Sequence, residues 1–245
     1  MGRATRSFPV ALLLAPLASF AGAAAGGDDI ADADHTITIP GPKNPTLLPY
    51  RYMLAGLDAF DDHHDLAPTA KPVRFRLRGN ADGAMDGLTL AIVGATTTIP
   101  VPLAADGGFV LPRDEAAEDE DADLILNKSK RGYSWNADVR SDGVPEGMRR
   151  LGDLRLECAV TTAIGKKLLT WTLRMQITAL TLTTDWCTHK QFSYGGRSDT
   201  VISGATLVWG EQRLALKVLR DGKSYSVPTG NKAFPDEALV EFTTK

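Results

Sequence analysis

Val73-Arg74-Phe75-Arg76-Leu77-Arg78 places an apolar residue at every odd position and an arginine at every even one. Successive side chains point to opposite faces of a strand, so this pattern predicts a half-buried β-strand with one face on a core and one in water. The same period of two recurs nearby. Leu88, Leu90 and Ile92 alternate with Thr89, Ala91 and Val93, and Tyr133, Trp135, Ala137 and Val139 alternate with Ser134, Asn136 and Asp138. Further strands are expected at 97–101, 108–111 and 123–127, separated by turn-rich pieces such as RGNADGAMDG and NKSKRG. Short strands at this spacing predict an all-β, antiparallel fold rather than a parallel sheet with crossover helices.

One segment breaks the strand pattern. Tyr50, Met53, Leu54, Leu57 and Phe60 follow helical spacing behind Pro49, which predicts a short helix over 50–62, weakened by Gly56. The stretch before it, with Pro40, Pro42, Pro45 and Pro49, is too proline-rich for regular structure. SDGVPEGMRRLGD at 141–153 has the composition of a boundary. After it Leu154, Leu156, Cys158 and Val160 predict one strand face, and Trp171, Leu173, Met175 and Ile177 another, with a bulge after Ile177. Near the C-terminus, Asp221-Gly222 suits a two-residue type I′ hairpin turn that sets Val218 opposite Tyr225 and Leu216 opposite Val227. A loose echo between Leu88–Ile125 and Leu214–Phe242 points to two copies of one unit.

The hairpin DGKSYSVP, and DGGFVLP in the first half, resemble the turn and strand of transthyretin-like or carboxypeptidase-regulatory-like seven-stranded modules. The resemblance covers about a dozen residues per half; it implies a fold class and no activity. The expected organisation is a signal peptide at 1–25, a flexible acidic and proline-rich segment at 26–45, a β-sandwich module at 46–141, a linker at 142–152 and a second module at 153–245. Each sandwich would be immunoglobulin-like or transthyretin-like.

Compartment is read from the first residues. Arg3 and Arg6 precede the apolar run Phe8–Phe20 and the small residues Ala21–Ala25, the order of a cleaved secretory signal. The run is short for a span of about 20 residues and is interrupted by Pro9 and Pro16. Export to the periplasm or cell exterior is therefore expected, and in an oxidising compartment Cys158 and Cys187 predict a disulfide. The 245-residue chain carries a net charge of −3. That balance lacks the positive excess of a nucleic-acid binder, so the expected partner is another envelope or extracellular protein.

Few motifs suggest chemistry. Asp61-Asp62-His63-His64-Asp65 combines imidazole and carboxylate, and Asp61, His63, His64 and Asp65 are candidate ligands for a divalent metal such as Zn²⁺. The plainer account is the solvated end of the helix, because no HExxH or distant Cys/His partner completes a site. DEAAEDEDAD at 114–123 lacks EF-hand spacing and reads as a solvated loop, balanced by the basic patches Lys128, Lys130, Arg131 and Arg149, Arg150. There is no G-x-S-x-G elbow, and no organic cofactor is indicated. Trp135, Trp171 and Trp209 are in phase with apolar neighbours and are expected in the core, with Trp186 over the cysteine pair. The leading expectation is a non-catalytic binding protein. The alternatives are a metal-dependent hydrolase using the 61–65 cluster and a carbohydrate-binding module using exposed tryptophans.

Overall fold

The computed structural model describes residues 44–80, 83–181, 183–190 and 192–244, so the expected signal peptide and most of the 26–45 segment lie outside the described residues. In chain order the elements are β1 (Thr46–Pro49), α1 (Tyr50–Asp62), β2 (Arg74–Gly79), β3 (Leu90–Val93), β4 (Thr98–Val101), β5 (Gly108–Phe109), α2 (Glu115–Asp119), β6 (Asp123–Leu126), β7 (Tyr133–Asp138) and β8 (Arg149–Arg150). They continue with α3 (Leu151–Leu168), α4 (Trp171–Thr181), β9 (Tyr194–Arg197), β10 (Ile202–Trp209), β11 (Gln212–Leu216), β12 (Ser224–Val227) and β13 (Leu239–Thr244). The strands form antiparallel sheets ordered β1-β6-β3-β4, β5-β2-β7, β11-β10-β13-β8 and β12-β9. The chain is thus mostly antiparallel sheet with few helices.

The period-two strands of the first half form where expected. Val73, Phe75 and Leu77 are buried beneath β2, and Phe75 packs against the rings of Phe109 and Trp135 at 5.6 and 5.9 Å. β1 departs from the proline-based expectation. It pairs with β6 at the edge of its sheet, where a proline removes no needed ladder donor. The acidic run at 114–123 is also more ordered than its composition suggests. Asp114 caps α2 by accepting the Ala117 N–H at 2.8 Å, and the Glu120 carboxylate accepts the N–H groups of Thr96 and Thr97.

Helix α1 matches the expected helix at 50–62 and lies against α3. Gly56 is what allows the approach: a Cβ there would sit 2.6 Å from the Ile164 side chain. The larger correction concerns α3, where a strand was expected at 154–160. Leu151, Leu154 and Cys158 belong to one hydrophobic cluster, together with the strands β9–β13, while Leu156, Val160 and Ile164 belong to the other, with α1 and the sheets of the first half. The first set is spaced i, i+3, i+7 and the second i, i+4, i+8, so both are helical stripes. A helix covered on two sides carries apolar residues on both, and over a short window their union mimics alternation. The first N–H groups of α3 donate to the carbonyls of Ala238 and Asp236 at 2.8 Å each.

The other strand expected there, at 171–177, is helix α4. Trp171 is 68% exposed, and Leu173 and Met175 also face solvent, so the core assignment of Trp171 is corrected. Trp209 is likewise exposed, at the β10–β11 turn, whereas Trp186 is buried beside Cys187. At the C-terminal hairpin the register holds, with Val218 bridged to Tyr225 and Ser226 N–H donating to Lys217. The turn itself is longer than two residues, since the Leu219 N–H donates to the Ser224 carbonyl, and it is not type I′, since Gly222 has a positive φ (64°) and Asp221 does not. The Asp221 carboxylate organises it by accepting the N–H groups of Lys223 and Ser224 and the Ser224 hydroxyl.

Segment 142–152, expected as a linker, contains β8 and the first two residues of α3. Arg149, expected in a surface patch, is 3% exposed. Its guanidinium donates to Glu157 at 2.6 Å and to the Val139 carbonyl, and Glu157 also accepts the Val139 N–H. Burial pushes the Glu157 carboxyl up, against the pull of Arg149.

Candidate functional site

Because β2 sends Val73, Phe75 and Leu77 inward, the pleat sends Arg74, Arg76 and Arg78 to the opposite face. That face does not meet bulk water alone. β7 pairs with β2 and brings Asn136 and Asp138 beside the arginines, and the turn before β5 supplies Asp106. From the other half of the chain come Arg197 at the end of β9, then Ser198 and Asp199, and Lys223 from the β11–β12 turn. Side chains from both halves therefore line one cleft.

The cleft has two adjoining parts that share Arg197, Ser198 and Asp199. The smaller, about 390 Å³, is lined by Arg76, Arg78, Asp106 and Lys223 in addition to the shared residues. The larger, about 570 Å³, extends past Arg140, Met148 and Arg149 to Glu241 and Phe242.

The charges are interlocked. Arg76, 12% exposed at its side chain, pairs with Asp138 at 2.9 Å, with Asp106 at 3.2 Å and with Asp199. Asp138 also accepts from Arg140 at 2.8 Å, and Arg74 binds Asp106 at 2.7 Å. Burial alone would raise the Asp138 carboxyl, but Arg140 and Arg76 outweigh it and hold the group below the usual carboxylate range. Arg78 differs. Its guanidinium donates to the neutral Asn136 and stands 3.9 Å from the nearest Asp199 oxygen. Burial, then the neighbouring charges of Arg76 and Arg197, push its pKa down. Arg197 reaches Asp221 only at 3.7 Å, and the buried Nε–H groups of Arg76 and Arg197 have no hydrogen-bond partner among the described residues. The smaller hollow is therefore cation-rich, whereas the larger sets Glu146, Asp199 and Glu241 against Arg140, Arg149 and Arg197.

The residues singled out in the sequence lie elsewhere. α1 ends at Asp62, and His63 turns the chain into a 3-10 turn over His64–Leu66, so neither the helical nor the extended phase that would align the cluster persists. Asp61 pairs with Arg113 at 2.7 Å. His64 packs on the Phe60 ring at 5.2 Å with Nε2 3.4 Å from the Ala70 carbonyl, and Asp65 is exposed. His63 borders a separate hollow of about 280 Å³ beside Asp185, Cys187 and Phe234. Among the described residues, no group of three or more His, Cys, Asp or Glu side chains is arranged to hold a metal ion. Cys158, on α3, and Cys187, in the 3-10 turn Trp186–Thr188, meet at disulfide distance with Cα atoms 5.9 Å apart.

Of the cleft arginines, Arg76 and Arg78 were visible in the sequence as the wet face of a strand, while Arg140 and Arg197 were not singled out. The acidic partner Asp199 was not visible either, because Arg76 and Asp199 are 123 residues apart. No protein-family model, curated protein or solved structure matches the chain, so the site is argued from its own residues.

Proposed function

We propose that the chain is an exported binding protein, built on two β-modules that share helix α3, whose ligand is acidic and docks in the arginine-lined cleft between them. The observation that carries this reading is the excess of cations at the smaller hollow, where Arg76, Arg78, Arg197 and Lys223 meet Asp106 and Asp199, in a chain whose net charge is −3. A local positive surface on a net-acidic molecule steers anionic groups to one place. Two hydrophobic clusters, one per half, support the two-module scaffold. Export is supported by the leader-like residues 1–25, by cysteines at disulfide distance, and by the finding that no helix among the described residues is long and apolar enough to cross a membrane.

The test is photo-crosslinking in cells of the source organism, with a photoreactive residue at Thr200, followed by fractionation and intact-mass analysis. A defined adduct in the exported fraction, lost when Arg78→Glu is introduced, is the expected result. Retention of the protein in the cytosol, or an adduct indifferent to the Arg78 change, overturns the proposal.

A further inference from the structure

We infer that the smaller part of the cleft is an oxyanion subsite, in which Arg78, Arg197 and Lys223 hold the phosphate monoester or sulfate ester group of a ligand. The inference rests on the reading that the cleft receives the ligand, and adds the chemistry of the group that enters.

The charges around this hollow do not balance. Arg76, Arg78, Arg197 and Lys223 line it with Asp106 and Asp199, and Asp138, which pairs with Arg76 at 2.9 Å, offsets Arg76 and Arg140 rather than the other three cations. The two lining acids are shared, Asp106 between Arg74 and Arg76, and Asp199 between Arg76, Arg140 and, at 3.9 Å, Arg78. Arg78 is left with a neutral amide as its close partner. Asp221, the one carboxylate near Arg197, is committed to the backbone and hydroxyl of its own turn. The Lys223 ammonium forms no ion pair among the described residues. Three cations from three separate segments are thus under-neutralised at one cavity.

Their chemistry selects the ligand. A planar carboxylate is satisfied by one bidentate guanidinium, whereas a tetrahedral group offers three or more oxygens to donors arriving from different directions. Two guanidinium forks and one ammonium point charge suit the second case. Ser198 adds a hydroxyl: its oxygen accepts the Thr200 N–H at 3.3 Å, which leaves its proton to donate. Burial first, and then repulsion from Arg76 and Arg197, depress the Arg78 pKa, and an anion here relieves that repulsion. A metal cation would meet that repulsion instead. The volume of about 390 Å³ leaves room for the substituent that an ester carries.

Calorimetric titration of the exported form tests the inference, using inorganic phosphate, inorganic sulfate and acetate in turn at constant ionic strength. Saturable binding of phosphate or sulfate at least tenfold tighter than acetate is expected. Tighter phosphate identifies a phosphate monoester as the natural group, and tighter sulfate a sulfate ester. Arg78→Gln and Lys223→Gln should each weaken binding at least tenfold, while Arg131→Gln, on the exposed turn before β7, should leave it unchanged. If Arg78→Gln does not fold, Lys223→Gln decides alone. Phosphate and sulfate no tighter than acetate, or unaltered affinity in the folded variants, overturns the inference. A Thr200 adduct that persists in that case keeps the binding proposal and removes only the oxyanion; loss of both removes both.

Discussion

Arg149 and Glu157 show how far a single charged residue can depart from its sequence context. Beside Arg150 in a glycine-rich stretch, Arg149 has the look of a surface charge, yet both partners of the pair are nearly inaccessible. Removing one member of such a pair strands the other without solvent, whereas removing both strands neither. Arg149→Met is therefore expected to cost roughly 3–5 kcal/mol of stability, and Arg149→Met/Glu157→Leu much less, as measured by urea unfolding in a double-mutant cycle. A single variant no less stable than the double would show that Glu157 finds other solvation. The cleft arginines carry the same lesson with the opposite outcome. Arg78 stands at a half-buried position with a neutral amide as its close partner and Asp199 at 3.9 Å, and on the proposed reading that deficit is what a bound anion would offset.

At the scale of elements, strands were legible and α3 was not. β2 and β3 each bury one face, so their alternation survives in the sequence as a clean period of two, and β7 keeps the same alternation although its polar-side Asp138 is buried by ion pairs. α1 also buries one face and could be read from its helical spacing. α3 is covered on two sides, and periodicity alone cannot distinguish such a helix from a strand. Gly56 was read as a weakness of α1, but it is the condition for α1 and α3 to approach. Gly56→Ala raises helix propensity by about 1 kcal/mol, yet forces a methyl into the Ile164 side chain. Overpacking of this kind costs typically about 1–3 kcal/mol, so a lowered Tm by circular dichroism is expected. A raised Tm would refute the close-approach account.

For the whole molecule, α3 decides how the halves are coupled. Leu156, Val160 and Ile164 complete one hydrophobic cluster and Leu151, Leu154 and Cys158 the other, so neither cluster can lose the helix without exposing apolar surface. Urea unfolding followed by far-ultraviolet circular dichroism and by tryptophan fluorescence should therefore give one coincident transition. Two separated transitions would mark modules that fold independently. The same apposition of halves creates the cleft, since Arg76 and Arg78 come from the first and Asp199, Arg197 and Lys223 from the second.

The amino-acid order by itself determined the strand phases of the first half, the helix at 50–62, the register of the C-terminal hairpin and the cysteine pair that could be joined. These are properties of near neighbours, set by the pleat, the helical pitch and turn chemistry. Only the tertiary structure decided that α3 is a helix, that Arg149 is buried and that the wet face of β2 is one wall of a charged cleft. Each depends on groups tens to more than a hundred residues away. Burial and charge pairing are set by what packs across a surface, and the chain order does not record that distance.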